Sequence, residues 1–222
     1  MEWNFVCGRG KAVDNKIGLW VPTARRRFVE LDLRLRPWSE RIFMIQTHMT
    51  VEERMELLNK ALGLPQGFTV CEIGSYLGAS TYVLGAAACI NKGRIFAIDT
   101  WDNEAMGAEA KVDTFSEFLN NIYEFRDVIQ PIRGWSRDVA DRIPDGLDMV
   151  FIDGDHSYEA VLSDLLLYIP KLRRGGLIVM HDYTFDSVKA AAERAWNTYP
   201  IVGWGPQVHS LQGFILTDEI RM

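Results

Sequence analysis

The feature that most constrains the fold is a regular alternation of apolar strand-like runs with helical segments, beginning near residue 50. Alternation at this spacing predicts βαβ units, and therefore an α/β domain with a doubly wound, mostly parallel sheet and helices on both faces. The tail after residue 200 is rich in strand-forming residues, which predicts an antiparallel addition at one edge. The predicted parallel strands lie at 68–74, 93–100, 128–134, 147–153 and 175–182.

We divide the chain at the start of the first predicted helix, where Thr50 and Glu53 have the spacing of a capping box. Residues 1–49 are interpreted as an N-terminal extension that forms a lid, a wall of the substrate site or a dimer contact. Residues 50–222 are predicted to form the ligand-binding domain. A homodimer is therefore one interpretation of the extension.

Composition excludes several classes of protein. The net charge is −6, although the first 45 residues hold nine Lys and Arg against five acids, so the rest of the chain is acidic. An acidic body argues against nucleic acid as the main partner. We find no apolar stretch long enough to span a membrane and no signal peptide. Three cysteines without a CxxC pair indicate reduced thiols and a cytoplasmic protein.

Polar residues and glycines collect where the predicted parallel strands end. In doubly wound sheets, ligands bind outside the carboxyl ends of the strands, near the switch in strand order. A purely structural domain has little reason to gather such groups along one rim, so the pattern predicts a nucleoside-binding enzyme. The candidates, in chain order, are Glu72, Gly74, Ser75, Tyr76, Gly78, Ser80, Asp99, Trp101, Ser136, Asp153, His156, His181 and Asp182.

The turn after the first strand contains Gly74 and Gly78, which would let the backbone approach a ligand without Cβ clashes. The turn reads GxxxG; it is not GxGxxG and lacks the lysine of a P-loop. Asp99 ends the second strand, where a carboxylate can accept hydrogen bonds from both ribose hydroxyls. The alternative is that Asp99 caps a turn.

Taken together, the segments VCEIGSYLGAS, IFAIDTWD, GWSRD, MVFIDGDHSYEAV and LRRGGLIVMHDY resemble class I S-adenosylmethionine-dependent methyltransferases. More narrowly, the chain is similar to small O-methyltransferases of the catechol and caffeoyl-CoA type and to the related branch acting on natural products and sugars. The resemblance covers roughly residues 50–217. It implies a seven-stranded Rossmann-like sheet, S-adenosyl-L-methionine as cofactor, and methyl transfer to a hydroxyl of a small molecule or sugar.

The resemblance also implies roles for the residues at matching positions. Glu72 and the turn after it would hold the methionine part of the cofactor, Asp99 the ribose, and Trp101 and Ser136 the adenine. The implied cofactor-binding residues are Glu72, Gly74, Ser75, Tyr76, Gly78, Ser80, Asp99, Trp101, Ser136 and Asp153.

Relatives that use a divalent metal hold it at the positions occupied here by Asp153, His181 and Asp182. Mg²⁺ prefers oxygen ligands, so His181 favours Mn²⁺, Fe²⁺ or Zn²⁺. The alternative is a site without metal, in which His181 binds Asp182 or transfers protons. His156 stands where the catechol-type relatives carry a lysine base and would deprotonate the acceptor; its alternative role is a helix cap. The catalytic candidates are thus His156, Asp153 and His181.

Three other interpretations stay open on the sequence alone. A nicotinamide oxidoreductase also uses a doubly wound sheet, but it would normally show GxGxxG. A metal-dependent relative of the cephalosporin hydroxylase branch would share most of these motifs. A protein that binds the cofactor without turnover would share them as well.

Overall fold

The computed structural model describes residues 41–102 and 112–217 of the chain. Its helices are α1 (Val51–Leu62), α2 (Ala79–Asn91), α3 (Phe115–Asn121), α4 (Ser136–Val139), α5 (Tyr158–Tyr168) and α6 (Asp186–Trp196). Its strands are β1 (Thr69–Ile73), β2 (Arg94–Asp99), β3 (Ile129–Arg133), β4 (Leu147–Ile152), β5 (Leu172–Met180), β6 (Ile201–Gly203) and β7 (Gln212–Leu216). Short 3₁₀ turns lie at Arg41–Phe43, Tyr123–Phe125, Ala140–Arg142 and Ile169–Lys171.

The seven strands form one sheet in the order β3-β2-β1-β4-β5-β7-β6. The first five strands run parallel, while β7 pairs antiparallel with both β5 and β6. The predicted doubly wound sheet with an antiparallel edge is confirmed. The strand order reverses between β1 and β4, so the crevice for a ligand opens at the carboxyl ends of these two strands.

Local sequence explains the ends of several elements. Thr50 and Glu53 form the predicted capping box at the start of α1, with hydrogen bonds in both directions. Pro131 lies in β3, which is an edge strand of the sheet. Proline has no amide hydrogen to donate, so the edge is where a sheet tolerates it.

The sheet carries one hydrophobic core on each face. Side chains alternate along the strands: Val70 and Phe151 pack into the core under α1, α2 and α3, whereas Cys71 and Val150 pack into the core under α4, α5 and α6. Two covered faces explain why the central strands are apolar throughout. They also leave the carboxyl ends of the strands as the rim available to a ligand.

The proposed extension at residues 1–49 lies mostly outside the described residues, as does its basic segment at residues 25–27. Its last part packs with the domain, because Ile42, Ile45 and Met49 are buried in the core under α1. The division at residue 50 stays a prediction. Within the described ranges, no helix has both the length and the apolar character that a membrane span requires.

The cysteines only partly match the expectation of reduced thiols. Cys71 is free and buried in β1. Cys89, near the end of α2, is disulfide-bonded, so the expectation is wrong for this residue. The cytoplasmic location inferred from the cysteines stays a prediction.

Candidate active site

The glycine turn after β1 lies directly against the loop after β4. Gly74 and Gly78 have φ of 86° and 87°. A Cβ on Gly74 would stand 2.1 Å from the carbonyl oxygen of Asp153. Only glycine fits there, because both the positive φ and the close approach exclude a side chain. The turn after β1 and the first residue after β4 therefore form one continuous surface.

Asp99, at the end of β2, ties this turn together. Its Oδ2 accepts hydrogen bonds from the backbone amides of Ser75 and Tyr76, both at 2.8 Å. Its Oδ1 accepts a third from the amide of Trp101 at 2.6 Å. A carboxylate offers about four acceptor positions, so one on Oδ1 is left for a ligand hydroxyl. The ribose role of Asp99 stays a prediction, with room for one hydroxyl in this arrangement.

Glu72 is completely buried at the end of β1. Its Oε2 accepts hydrogen bonds from the hydroxyls of Ser75 at 2.9 Å and Thr81 at 2.5 Å. Its Oε1 is buried with no hydrogen-bond partner among the described residues. Burial raises the pKa of Glu72 to about 7, against the opposing effect of the hydroxyls of Ser80, Thr81 and Ser75. An unpaired buried carboxylate oxygen is costly, so this atom calls for a donor from a ligand.

Trp101 lies beneath the turn, where it is fully buried. Its Nε1 donates to the carbonyl of Tyr76 at 3.0 Å, and its ring packs on Phe115 and Phe118 with centroids 4.7 and 4.6 Å away. The Tyr76 ring stacks on His48 at a centroid distance of 6.1 Å. The buried ring of Trp101 thus packs between the turn and the two phenylalanines. Its contact with adenine stays a prediction.

A cavity lies beside the turn, between the ends of β1 to β4 and α5. Its polar wall includes Asp99, Ser136 and Asp164. Ser136 Oγ donates to Asp164 Oδ1 at 2.5 Å, and Tyr168 Oη donates to the carbonyl of Ser136 at 2.8 Å. Burial raises the pKa of Asp164 to about 6. The cavity is lined by Ile73, Gly74, Ile98, Asp99, Thr100, Gly134, Trp135, Ser136, Arg137, Gly154, Asp155, Ala160, Ser163 and Asp164.

Asp164 is not among the residues that the sequence predicts for the site. A signal was present, because Asp164 is an acid within the otherwise apolar second half of the segment SYEAVLSDLLLYI. A charged residue on the buried side of a helix needs a partner, and in the folded chain that partner is Ser136.

On the other side of the turn, Asp153, His181 and Asp182 form a compact cluster that could hold a metal ion, since one ligand atom from each lies within 4.8 Å of the others. His181 Nδ1 is 3.1 Å from Asp153 Oδ1 and 3.1 Å from Asp182 Oδ2. Burial lowers the pKa of His181, but the bonds with the two carboxylates outweigh burial and raise this pKa to about 11. The same contacts hold the pKa of Asp182 below its ordinary value despite burial, whereas burial raises that of Asp153.

His156 stands next to this cluster on the loop after β4. Its Nε2 is 2.9 Å from Asp182 Oδ2, and this contact raises the pKa of His156. Its carbonyl accepts a hydrogen bond from Ser187 Oγ at 2.7 Å. Ser157, and not His156, caps α5, because its hydroxyl accepts from the amide of Ala160. The imidazole of His156 is therefore free of the capping role and about two-fifths exposed.

Two further residues belong to the cluster and were missed as site residues. Glu53 Oε2 is 3.4 Å from His181 Nε2, and Ser210 Oγ is 3.1 Å from the same nitrogen. In the sequence, Glu53 was interpreted as the partner of Thr50 in a capping box, and that role gave no reason to place it in the site as well. Ser210 lies in an irregular loop before β7, and no motif pointed to it.

The fold is that of a Rossmann-like domain, and the candidate site lies at the carboxyl ends of its parallel strands, where such domains bind ligands. Comparison with known families makes the class specific, because residues 71–183, slightly more than half of the chain, match the family described as "Methyltransferase domain". The chain belongs to this family and is an S-adenosylmethionine-dependent methyltransferase. The nicotinamide oxidoreductase considered from the sequence is thereby set aside.

Two relatives illustrate the similarity. A probable cobalt-precorrin-6B C(15)-methyltransferase (decarboxylating) of Sulfolobus acidocaldarius is 30% identical over 162 residues, which span 72% of this chain and 74% of the relative. The uncharacterized protein R132 of Acanthamoeba polyphaga mimivirus is 43% identical over 60 residues. That second match spans 25% of this chain and only 27% of the viral protein.

Solved structures of methyltransferases share the fold. An O-methyltransferase of Bacillus cereus in complex with SAH has a TM-score of 0.60 at 17% identity, over 87% of this chain and 96% of that one. The O-methyltransferase NovP has a TM-score of 0.59 at 16% identity, over 74% of this chain and 80% of that one. A putative rRNA-methylase of Clostridium thermocellum has a TM-score of 0.56 at 15% identity, over 78% of this chain and 99% of that one. At these identities the likeness concerns the fold alone.

Proposed function

We propose that this methyltransferase acts on a hydroxyl of a small molecule or sugar, with His156 as the base. The observation that carries the proposal is the position of His156. Its half-exposed imidazole is 2.9 Å from Asp182, adjoins the Asp153–His181 cluster, and lies on the loop whose first residue touches the glycine turn. A hydroxyl acceptor needs a group that removes its proton, and a histidine can do so near neutral pH.

The chain's own residues fit S-adenosylmethionine. Glu72 Oε1 is a buried acceptor that receives no donor from the part of the chain that the structure describes, which suits the ammonium group of the methionine part. Asp99 and Ser136 line the adjoining cavity, and Asp99 keeps one acceptor position for a ribose hydroxyl. When bound, the cofactor supplies a methyl group on a sulfonium, a cation that nearby carboxylates stabilise.

The role of the chain in the transfer is to align the acceptor, exclude water and accept one proton. We assign the proton to the imidazole of His156, and Asp182 Oδ2 stabilises the imidazolium that results. Asp182 is in turn held by the buried His181, and this contact keeps the carboxylate of Asp182 in place beside His156.

Asp153, His181 and Asp182 also fit a divalent cation. One imidazole and two carboxylates suit Mn²⁺, Fe²⁺ or Zn²⁺ better than Mg²⁺. Glu53 adds a third carboxylate around His181, so the site carries more negative than positive charge. When bound, such an ion would lower the pKa of a coordinated acceptor hydroxyl.

We favour a small-molecule acceptor over nucleic acid. The body of the chain after residue 45 is acidic, which opposes binding to phosphate backbones. The neighbours described as O-methyltransferases support this choice, although one fold neighbour is described as a putative rRNA-methylase. The homodimer suggested by the extension stays a separate prediction.

The test begins with calorimetry of S-adenosylmethionine binding, followed by formation of S-adenosylhomocysteine with panels of catechols, phenols, sugars and a short RNA. Each acceptor is assayed as purified, after EDTA, and after adding back Mn²⁺. Turnover of a hydroxyl acceptor that His156→Gln loses while keeping cofactor affinity would support the proposal. Turnover of RNA alone, or of acceptors without a hydroxyl, would contradict it.

A further inference from the structure

Glu53 links the first turn of α1 to the candidate catalytic cluster. It is 2% exposed, and its carboxylate accepts four hydrogen bonds. Oε2 accepts from the amide and hydroxyl of Thr50 at 2.8 and 2.9 Å. Oε1 accepts from the amide and hydroxyl of Ser210 at 2.8 and 2.7 Å. Four donors are what an ionised carboxylate, which only accepts, can satisfy.

Ser210 is held from both sides. Besides its two bonds to Glu53, its carbonyl accepts from the amide of Tyr183 at 2.9 Å, directly after Asp182. The loop before β7 is therefore clamped between α1 and the residues that follow β5. This clamp places the hydroxyl of Ser210 3.1 Å from His181 Nε2.

The direction of these bonds requires that Nε2 of His181 carry a proton. A serine hydroxyl has one hydrogen, and Ser210 gives it to Glu53. Towards His181 the oxygen of Ser210 can then only accept, so Nε2 must donate. Glu53 Oε2, at 3.4 Å, adds negative charge beside the same proton.

We propose that Glu53 and Ser210 are positioning residues: they hold a proton on His181 Nε2 and thereby present Nδ1 to Asp153 and Asp182. The three ligand atoms then face one point, where a proton or a divalent cation can sit. Histidines that bind metals commonly have their other N–H held by a carboxylate or another oxygen, which orients the ring. The inference about a cation rests on the proposed function, whereas the bond to Nε2 does not.

Nuclear magnetic resonance of the full-length, metal-free protein with ¹⁵N-labelled histidine tests the bond itself. The wild type should show an exchange-protected Nε2–H signal of His181, identified by its absence in His181→Gln. Ser210→Ala removes the acceptor and Glu53→Gln frees the Ser210 hydroxyl, so both should lose the signal. Ser210→Thr keeps a hydroxyl and should retain it.

The variants are matched so that misfolding does not imitate the result. Glutamine at position 53 preserves the capping box with Thr50, because that motif accepts Glu or Gln. Glu52→Gln makes the same charge change on an exposed neighbour in the same turn and should leave the signal unaltered. Circular dichroism of each variant verifies the fold.

Titration with Zn²⁺ alone supplies the second readout. Glu53→Gln and Ser210→Ala should weaken Zn²⁺ affinity by about 10- to 100-fold relative to wild type and to Glu52→Gln. If both variants keep the protected Nε2–H and full Zn²⁺ affinity, or if wild type lacks that protected proton, the positioning role is wrong. If wild type shows the proton but binds no Zn²⁺, the metal part of the proposed function fails while the positioning role stands.

Discussion

The carbonyl oxygen of Asp153 occupies the space that a side chain on Gly74 would need. A Cβ built on Gly74 would lie 2.1 Å from this oxygen and 2.7 Å from the amide nitrogen of Gly154. Both neighbours are backbone atoms, so neither can rotate away. The contact joins the residues proposed to bind the cofactor, at the ends of β1 and β2, to those proposed for catalysis, at the ends of β4 and β5.

Gly74→Ala should therefore disable the site and not only strain the turn. Gly67 is the matched control, since its φ of 80° is similar but nothing lies within 4 Å of a Cβ there. Gly67→Ala should cost about 1–2 kcal/mol, the usual strain of a left-handed residue. Gly74→Ala should cost more and abolish binding of S-adenosylmethionine. Urea unfolding and calorimetry measure the two effects; equal losses in both variants would contradict the close contact.

Replacing Asp99 should weaken both the turn and the cofactor affinity. Asp99→Ala leaves the amides of Ser75, Tyr76 and Trp101 without their acceptor. Hydrogen bonds to a charged group contribute about 1.5–3 kcal/mol each, so the free energy of unfolding should fall by at least about 2 kcal/mol. Among the described residues, Asp102→Ala breaks a half-exposed ion pair with Arg133 and should cost less than about 1 kcal/mol. Unchanged cofactor affinity in Asp99→Ala would refute the ribose role.

Glu72 should make stability fall with rising pH. Its pKa is about 7 in the folded chain, against an ordinary value of 4.5. Between these two values the folded chain keeps a proton that the unfolded chain has released, so the free energy of unfolding decreases as pH rises through that window and then levels off. Glu72→Gln should remove the contribution of Glu72 to this pH dependence of the free energy of unfolding. Urea unfolding below and above the window measures it.

The wild type and Glu72→Gln must be compared directly, because Asp164, with a pKa of about 6, contributes a slope of the same sign in both proteins. The free energy of unfolding is plotted against pH for each protein, and the difference between the two curves gives the contribution of Glu72. Glu117→Gln, an exposed substitution in α3, serves as the control. Parallel curves for wild type and Glu72→Gln would show that Glu72 is ionised throughout.

His156→Gln should lower kcat by about 100- to 10,000-fold while leaving the affinity for S-adenosylmethionine intact, as expected for loss of a general base. In the wild type, the rate should rise with pH as the imidazole loses its proton. The midpoint should lie above the ordinary value of 6.5, because the contact with Asp182 raises the pKa of His156. His209→Gln changes an exposed histidine at the surface and should have no effect. A pH profile that is identical in His156→Gln would exclude His156 as the base.

Much of this molecule could be predicted from local pattern. Strand and helix alternation and the capping box of Thr50 and Glu53 follow from neighbouring residues, and both were confirmed. The convergence of Asp99, Asp153 and His181 on one rim also followed, because parallel strands end at the same side of a sheet. The boundaries were less accurate, since β5 begins at Leu172 rather than near residue 175.

The amino-acid sequence by itself determined the fold class, the family motifs and the edge of the sheet where the candidate site lies, because periodicity and strand-end residues are local properties of the chain. Tertiary structure alone decided the partners across long separations. Ser210 reaches Glu53 over 157 positions, and Ser136 reaches Asp164 over 28. Such contacts depend on how helices and loops pack, so a residue that looks like a helix cap in the sequence becomes, once folded, a support for the histidine at the centre of the site.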